Sequence, residues 1–386
     1  MKILHCITST EVGGAQVMLL RYLQALGARA QDHVVLSLMS PGSLAPEIAS
    51  LGVPVVTAAM SQGSRSPRAL LRVRSHFRNF RADLVHGWMY HGNLSASFGR
   101  LGLGQKPAVV WGVHHSLDDI RNESRATQWV IRGSARMSNG VAGISYCSAV
   151  AAGQHESAGF AQDRRVIIPN GIDTAEFRPD PEARARLCAT ADIPAGRIII
   201  GNVGRDHPMK DQARMIQAVA QLAAAGHDVH AVLIGAGQES GSARQMARTL
   251  GIEDRVTTLA ERRDIPSLVA GFDIFLLPSA WGEAFPLAVC EAMASGVPVV
   301  VTDVGDTRWI VGEHGIVVRP GDTLAQVEGL LQLIALEPAA RRALGAAGRT
   351  RICEKFSMLR YVEAHDALYR AATAQGALGD LPRSVG

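Results

Sequence analysis

The sequence predicts an α/β protein that consists of two doubly wound domains. Short apolar runs such as KILHCITS and HVVLSLM alternate with longer segments of helical periodicity through the N-terminal half. A second alternating series begins with RIIIGNVG and continues to GIVVRPGD. Continuous apolar strands separated by helices are typical of parallel sheets that are covered on both faces. A length of 386 residues also fits two domains.

The change between the two series marks the expected domain boundary. The stretch IPNGIDTAEFRPDPEAR is rich in turn-forming and charged residues and interrupts the alternation. We therefore expect one domain over residues 1–172 and a second over residues 173–358. A last helix, expected at about 356 to 374, carries an apolar stripe that includes Tyr361 and Tyr369. Because such a stripe needs a groove, we expect the segment 359–386 to pack back toward the N-terminal domain.

Composition and charge exclude several classes of protein. The 39 basic and 35 acidic residues leave a net charge of +4, which is too mild for a dedicated nucleic-acid binder but compatible with a small phosphorylated ligand. The five cysteines show no CxxC and no paired spacing, so we expect neither a disulfide framework nor a zinc site. The N-terminus lacks a continuous apolar region, and no run approaches 18 apolar residues. We therefore expect a cytoplasmic protein that does not span a membrane.

The first candidate ligand contact is a glycine pair between a strand and a helix. In TSTEVGGAQVMLL, Gly13 and Gly14 precede the helix, where exposed backbone N–H groups could contact a diphosphate. The alternative is a turn that requires positive φ. The pair does not form the GxGxxG fingerprint, and IGAGQESG has Ser240 at its third glycine position, so a nicotinamide-dinucleotide site is disfavoured.

The segment LLPSAWGEAFPLAVCEAMASGVPVVVTDVGD carries the strongest pattern. Glu283 and Glu291 are separated by seven residues across a loop-to-helix junction, with Pro286 expected at the first helical position. Two carboxylates so spaced can accept hydrogen bonds from the hydroxyls of a sugar and of a ribose, while the N–H groups of Phe285 and Leu287 face a phosphate. Glu291 lies in an apolar helix, where a carboxylate without a partner is costly.

These segments together resemble glycosyltransferase family 4, whose members are retaining enzymes of the two-domain GT-B architecture. IPNGIDTAEFRP resembles the interdomain segment of the family, NVGRDHPMKDQARMIQAV its phosphate segment, and LPSAWGEAFPLAVCEAMASGVPVVVTDVG its signature. Ala284 departs from the signature, where glycine is usual. The resemblance implies two Rossmann-like domains facing a cleft, an acceptor-side N-terminal domain and a C-terminal domain that binds the nucleotide sugar.

The resemblance also implies a role for individual residues. Arg205 and Lys210 occupy the basic positions that contact the diphosphate leaving group, a role suited to a planar fork and a compact charge. Glu291 is expected at the ribose and Glu283 at the transferred sugar. In AVVWGVHHSLDD, His115 is a better match than its neighbour His114 to the family's histidine near the donor sugar. The expected catalytic set is His115, Arg205, Lys210 and Glu283, and the expected donor-binding set is Gly13, Gly14, Arg205, Lys210, Glu283, Phe285, Leu287 and Glu291.

The implied activity is metal-independent, retaining transfer of a sugar from a UDP-, GDP- or ADP-sugar to a saccharide or lipid-linked acceptor. The setting would be bacterial surface polysaccharide or glycolipid synthesis, including lipopolysaccharide, and no separate cofactor or nucleic-acid partner is expected. Three alternatives stay open, namely a nucleotide-sugar 2-epimerase, a phosphorylase and a catalytically silent binding subunit of the same fold. The presence of Arg205, Lys210, Glu283 and Glu291 argues against a silent relative.

Two further segments permit more than one interpretation. HGWMYHGN, with Trp88, Tyr90, His91 and Asn93, follows a strand and could bind acceptor or pack the loop. RSPRALLRVRSHFRNFR, within residues 65–81, carries arginines and no acidic residue, with apolar residues at helical spacing. Such a helix could lie on an anionic membrane surface or turn its apolar stripe toward the sheet.

Overall fold

The computed structural model describes residues 1–60, 67–104, 106–194, 196–374 and 381–383, with the side chains of residues 67–70 left out. The chain divides into two compact units. Unit 1 comprises Met1–Gly171 and Met358–Gly386, and unit 2 comprises Ile172–Ser357.

Unit 1 contains a seven-stranded parallel sheet, which confirms the doubly wound architecture predicted for this half of the chain. The strands are β1 (Ile3–Ile7), β2 (His33–Ser37), β3 (Val55–Thr57), β4 (Leu84–Trp88), β5 (Ala108–Val113), β6 (Gly143–Tyr146) and β7 (Arg165–Ile167). Their order is β3-β2-β1-β4-β5-β6-β7. Ile3 of β1 pairs with His33 of β2 on one side and with Leu84 of β4 on the other. The order therefore reverses between β1 and β4, and ligands bind at such a reversal in open α/β sheets.

The helices of unit 1 cover both faces of this sheet. They are α1 (Gly14–Leu26), α2 (Ala45–Ser50), α3 (Pro67–Phe80), α4 (Met89–Gly99), α5 (Arg125–Met137), α6 (Ala149–Ser157) and, at the C-terminal end, α15 (Met358–Thr373). Helix α15 packs against α1, β4 and β5. The Pro382 carbonyl accepts a hydrogen bond of 2.8 Å from the Ile167 N–H of the edge strand β7.

The two faces of this sheet bury different chemistry, because successive strand residues point to opposite sides. One face is mainly apolar and packs under α3, α4 and α5, with Leu4, Cys6, Val85, Val109 and Trp111 from the strands. The other face presents the buried side chains of His5, His86 and Trp88. These rings meet aromatic side chains of α1 and α15, namely Tyr22, Tyr361, His365 and Tyr369.

Unit 2 contains a six-stranded parallel sheet, again as predicted. The strands are β8 (Ile198–Val203), β9 (Val229–Ile234), β10 (Val256–Leu259), β11 (Ile274–Leu277), β12 (Val299–Thr302) and β13 (Gly315–Val318). Their order is β10-β9-β8-β11-β12-β13, which reverses between β8 and β11.

The helices of unit 2 enclose an aliphatic core. They are α7 (Ala183–Ala191), α8 (Gln212–Ala224), α9 (Ser242–Leu250), α10 (Ile265–Val269), α11 (Leu287–Ala294), α12 (Thr307–Val311), α13 (Thr323–Ile334) and α14 (Pro338–Lys355). The strand residues Ile200, Leu233, Leu276 and Val300 are fully buried in this core. The carboxyl ends of β8 and β11 therefore lie side by side at the reversal, which positions the loops that follow them.

Candidate functional site

The loops after β8 and β11 bring two of the predicted site residues into direct contact. Lys210 Nζ donates a hydrogen bond of 2.6 Å to Glu283 Oε1, and Ser279 Oγ donates one of 2.7 Å to the same oxygen. Glu283 is only 7% exposed. A carboxylate with so little access to water is costly to bury unless donors of this kind pair with it. Sequence reasoning assigned Lys210 and Glu283 to different parts of a ligand and missed this ion pair.

Close backbone packing fixes the loop that carries Glu283. The Ala280 N–H donates to the Met209 carbonyl at 2.8 Å, which ties this loop to the one that follows β8. Gly282 has φ +77°, and a Cβ there would lie 2.5 Å from Met209 Sδ. A Cβ at Gly305 would lie 2.1 Å from the Glu283 carbonyl oxygen. The glycines therefore allow three backbone segments to approach one another and hold Glu283 in place.

Helix α11 places the second carboxylate. The structure begins this helix at Leu287, with Pro286 as its N-cap in an extended conformation, so the predicted position of Pro286 inside the helix was wrong by one residue. Glu291 is buried in the second turn. Burial and the nearby charge of Glu291 raise the pKa of the Cys290 thiol well above its ordinary value.

The start of α11 also presents backbone donors. Within the described part of the chain, the N–H groups of Phe285 and Leu287 have no hydrogen-bond acceptor, as expected at the N-terminus of a helix. The Phe285 ring is buried and packs edge-on against Phe356 at a centroid distance of 5.6 Å. Its side chain thus belongs to the core, and only its backbone is available to a ligand.

Arg205 lies in the loop after β8 and is exposed. Its guanidinium makes no hydrogen bond or ion pair with the rest of the described chain. The next residue, Asp206, is fixed by the Ser242 hydroxyl, which donates to its carboxylate at 2.6 Å. The backbone that carries Arg205 is therefore anchored while its charged end faces solvent.

In unit 1, the glycine pair follows β1 at the reversal of the strand order. Gly13 is extended, with φ −173°, and Gly14 begins α1. Neither has positive φ, so the alternative of a turn that requires positive φ was wrong. A Cβ at Gly14 would meet nothing within 4 Å, whereas one at Gly13 would meet the flexible end of Gln16. The conformation and packing of the protein therefore do not require glycine at position 14.

The adjacent histidines after β5 have different environments. The His114 ring stacks on Trp88, with its Nδ1 3.0 Å from Asn170 Oδ1, and burial lowers the pKa of His114 to about 4. His115 is 40% exposed, and its Nε2 lies 2.8 Å from Glu123 Oε1. His114 is thus a neutral, packed side chain, whereas His115 is accessible and oriented by a carboxylate.

Most of the segment HGWMYHGN packs inside unit 1. Trp88 is fully buried and donates to His5 Nδ1 at 3.0 Å, and the Tyr90 hydroxyl lies 2.7 Å from His155 Nε2. Asn93 is also buried. His91 is exposed, so it alone of the four is accessible to an acceptor.

The arginine-rich segment forms α3 over Pro67–Phe80. Its apolar side chains Val73 and Phe77 are buried in the core of unit 1, so the stripe faces the sheet. Arg65 lies outside the described residues. Across the described ranges, no helix is long and apolar enough to cross a lipid bilayer. Nor, in those ranges, do three or more His, Cys, Asp or Glu side chains form a group that could hold a metal ion.

Two parallel α/β units, each with polar residues and glycines where its strand order reverses, define the GT-B class of fold. Sequence comparison agrees with this assignment. The profile of "Glycosyltransferase Family 4" matches residues 12–176, and that of "Glycosyl transferases group 1" matches residues 187–351. The chain belongs to glycosyltransferase family 4.

Curated relatives of this chain carry the names of glycosyltransferases. The chain is 31% identical over 317 residues to the D-inositol 3-phosphate glycosyltransferase of Salinispora tropica, a match covering 76% of this chain and 64% of the relative. It is 28% identical over 238 residues to the lipopolysaccharide core biosynthesis mannosyltransferase LpsB of Rhizobium meliloti, covering 59% and 67%. Among three of the curated relatives, the matched region spans only 41%, 43% and 64% of the relative's length.

The structure of Anabaena HepE in complex with UDP superposes with a TM-score of 0.82 at 22% identity. The superposition covers 96% of this chain and all of HepE. It confirms the GT-B fold.

Proposed function

We propose that the protein is a retaining glycosyltransferase that transfers a sugar from a nucleoside-diphosphate sugar to a saccharide or lipid-linked acceptor. The donor is a UDP-, GDP- or ADP-sugar, and the reaction needs no metal ion. The setting is bacterial surface polysaccharide or glycolipid synthesis. The names of the relatives support this proposal, because they include glycosyltransferases of D-inositol 3-phosphate and of the lipopolysaccharide core. HepE, which shares the fold, has been solved with UDP-glucose as well as with UDP.

The observation that carries the proposal is the contact between Lys210 and Glu283 at the reversal of the second sheet. A lysine ammonium has three donors, of which Glu283 takes one, so Lys210 can also bind a diphosphate oxygen. Arg205, exposed in the same loop, supplies a planar fork for the same group. We propose that these two cations stabilise the negative charge that develops on the leaving diphosphate, as a metal ion does in other enzymes. Donors of this kind are each worth about 3 kcal/mol in a transition state.

The carboxylates orient the donor in this proposal. Glu283 receives hydrogen bonds from Lys210 and Ser279 on Oε1, which leaves Oε2 to accept from hydroxyls of the transferred sugar. Glu291, which lies further along the chain in α11, accepts hydrogen bonds from the ribose hydroxyls. The backbone N–H groups of Phe285 and Leu287 donate to phosphate oxygens at the start of α11.

Retention follows from attack on the face that the diphosphate leaves. The departing phosphate oxygen accepts the proton of the acceptor hydroxyl, and the protein mainly holds the two substrates in position. The two donors to Glu283 stabilise its anion and reduce its nucleophilicity, which favours an orienting role over covalent catalysis. Trapping a glycosyl adduct on Glu283 would contradict this mechanism.

In unit 1, we propose that His115 contacts the donor sugar and that the backbone at Gly13 and Gly14 contacts the diphosphate. The accessibility of His115 and the open space at the Gly14 Cβ position support these roles. We also propose a cytoplasmic protein, since no disulfide joins its five cysteines, all of which are described.

The proposal is tested by incubating the purified protein with UDP-, GDP- and ADP-sugars and measuring released nucleotide. We expect release from one donor to rise when bacterial lipid or saccharide extract is added, and to persist in EDTA. A 2-epimerase would change the sugar without an acceptor, and a silent subunit would bind nucleotide without turnover. Either result would contradict glycosyl transfer.

A further inference from the structure

Helices α3, α4 and α5 form an outer layer over the apolar face of the unit 1 sheet. Helix α4 packs against both α3 and α5. Their inward side chains, among them Phe77 of α3 and Ile131 of α5, belong to the core below. We call the outward surface of these three helices, with the turn that follows α4, the outer face of unit 1.

The outer face carries positive charge and no negative charge from its own helices. The sequences of α3, α4 and α5 contain no aspartate or glutamate. Exposed arginines on α3 and α5 are Arg72, Arg78, Arg125, Arg132 and Arg136. Within the described ranges, none of these arginines forms an ion pair with a carboxylate, although many other arginines of the chain do. Their charge therefore remains available to an external anion.

Helix α5 arranges its charges around an exposed tryptophan. Arg125, Trp129, Arg132 and Arg136 follow one another at spacings of four, three and four residues, which places them on one stripe of the helix. Arg136 donates only to the Arg132 backbone carbonyl, so it stays on this stripe. Trp129 is 69% exposed.

Large apolar side chains also project from the other two helices of this layer. Leu71 of α3 is 67% exposed, Phe98 of α4 is 47% exposed, and Leu101 in the following turn is 52% exposed. Four large apolar side chains exposed on neighbouring helices, Trp129 included, are more than scattered surface residues. The outer face thus combines arginines without counter-charges and apolar side chains that lack a buried site.

We propose that the outer face of unit 1 docks on an anionic phospholipid surface. The arginines bind phosphate-bearing headgroups, and each such contact raises the affinity by about fivefold. Trp129 and the exposed leucine and phenylalanine side chains enter the boundary between headgroups and acyl chains, where aromatic rings are favoured. A nucleic-acid duplex would contact the arginines and leave Leu71, Phe98 and Leu101 exposed, whereas a lipid surface uses both kinds of side chain. The inference does not depend on the glycosyl transfer proposed above.

The charge part of the proposal is tested by flotation with phosphatidylcholine vesicles, with or without phosphatidylglycerol, and no sugar nucleotide present. The wild-type protein is expected to bind only the anionic vesicles. The variant Arg125→Ser/Arg132→Ser/Arg136→Ser should bind them at least about tenfold more weakly. The matched control removes the same charge from exposed arginines outside the outer face, as Arg244→Ser/Arg342→Ser/Arg370→Ser, and should stay within about twofold of wild type. Equal losses in the two triple variants, or no preference for anionic vesicles, would overturn the proposal.

The apolar part is tested at the tryptophan. Trp129→Ser should weaken vesicle binding several-fold without changing the thermal unfolding midpoint, because the side chain is exposed. Tryptophan emission should shift to shorter wavelength when wild-type protein binds vesicles, and this shift should be lost in Trp129→Phe. If Trp129→Ser binds vesicles normally and duplex DNA binds the wild type as tightly as vesicles do, the outer face binds polyanions and the lipid assignment is wrong.

Discussion

The two units bury different kinds of ionisable side chain. Unit 2 has an aliphatic core and pairs Lys210 with Glu283 at the carboxyl edge of its sheet. Unit 1 buries imidazole and phenol groups between its sheet and the helices α1 and α15. Where the loops after two adjacent strands supply opposite charges, a buried carboxylate is paired with a cation. In unit 1, burial lowers the pKa values of the buried imidazoles and keeps them neutral instead.

The buried layer of unit 1 is held by a chain of hydrogen bonds. Trp88 donates to His5 Nδ1, so the His5 Nε2 carries its proton and donates to His33 Nδ1 at 2.8 Å. The His86 Nδ1 lies 2.7 Å from the Tyr369 hydroxyl of α15. Burial and neighbouring imidazoles lower the pKa values of His5 and His86 well below 6.5. This layer packs α15 against the sheet through imidazoles whose lowered pKa values keep them neutral.

The largest effect is expected at Lys210. In the proposed mechanism, Lys210→Ala removes a cation from the leaving diphosphate; it also leaves Glu283 buried without its ion pair. We expect kcat for donor turnover to fall by about 10²- to 10³-fold. The matched control is Lys355→Ala on α14, an exposed lysine far from these loops in sequence, which should leave kcat unchanged. If kcat fell by less than about twofold in Lys210→Ala, Lys210 would have no role in stabilising the leaving group.

A second variant separates catalysis from stability at the same pair. Lys210→Met with Glu283→Gln removes both charges, so the cost of an unpaired buried carboxylate disappears. Its free energy of unfolding, from urea denaturation, should exceed that of Lys210→Met alone. Its activity should stay low. Recovery of activity in the double variant would mean that Lys210 acts only by neutralising Glu283.

As the pH is lowered, unit 1 should lose stability before unit 2 does. Burial lowers the pKa values of His33, His155 and His365 from 6.5 to about 4, so these groups bind protons in the unfolded chain before they do so in the folded one. Above pH 6.5, each of these histidines makes its full contribution to the free energy of unfolding. As the pH falls from 6.5 to 4, the contribution of each decreases by about 1.4 kcal/mol per pH unit. Among the described residues of unit 2, His230 is the histidine with a similarly lowered pKa.

Hydrogen exchange can measure this difference within one molecule. Amides of α1 and α15 should lose protection between pH 6.5 and 4.5, while those of α8 and α13 keep theirs. The internal comparison needs no substitution, because each unit serves as the control for the other. Loss of protection in both units at the same pH would contradict the contrast drawn between them.

A smaller effect is expected from matched glycine substitutions in unit 1. Gly14→Ala places its Cβ in open space at the start of α1 and should raise stability slightly, by less than about 1 kcal/mol. Gly92→Ala would place a Cβ 2.2 Å from the Cys6 carbonyl oxygen and should cost about 1–3 kcal/mol. If the Gly14 backbone contacts the diphosphate, Gly14→Ala should nevertheless lower kcat/KM for the donor. Unchanged kcat/KM would leave Gly14 without a role in binding.

The strands and most helices could be predicted because their signal is local. Alternation of apolar runs and helical periodicity depends on residues close in sequence, and every predicted strand of the two series is present. The boundary at Pro286 was off by one residue, because an extended N-cap and a first helical proline have the same sequence signal.

The contacts of the site depend on which strands become neighbours. Lys210 and Glu283 meet because β8 and β11 are neighbours where the strand order of the sheet reverses. No local sequence pattern predicts that these two strands are neighbours. The different environments of His114 and His115 depend on Trp88 and Glu123, which are supplied by other segments. The outer face of unit 1 likewise joins α3 and α5, which are far apart in sequence and are linked through α4.

The division of labour between the two buried carboxylates of unit 2 is tested most directly by calorimetry with the nucleoside diphosphate and its sugar donor. Glu291→Gln should weaken binding of both ligands by about 10- to 100-fold, because the ribose is common to both and a hydrogen bond to a charged group is worth about 1.5–3 kcal/mol. Glu283→Gln should weaken binding of the sugar donor and leave the nucleoside diphosphate within about twofold of wild type. Equal losses for the bare nucleotide in both variants would contradict the assignment of Glu291 to the ribose and Glu283 to the transferred sugar.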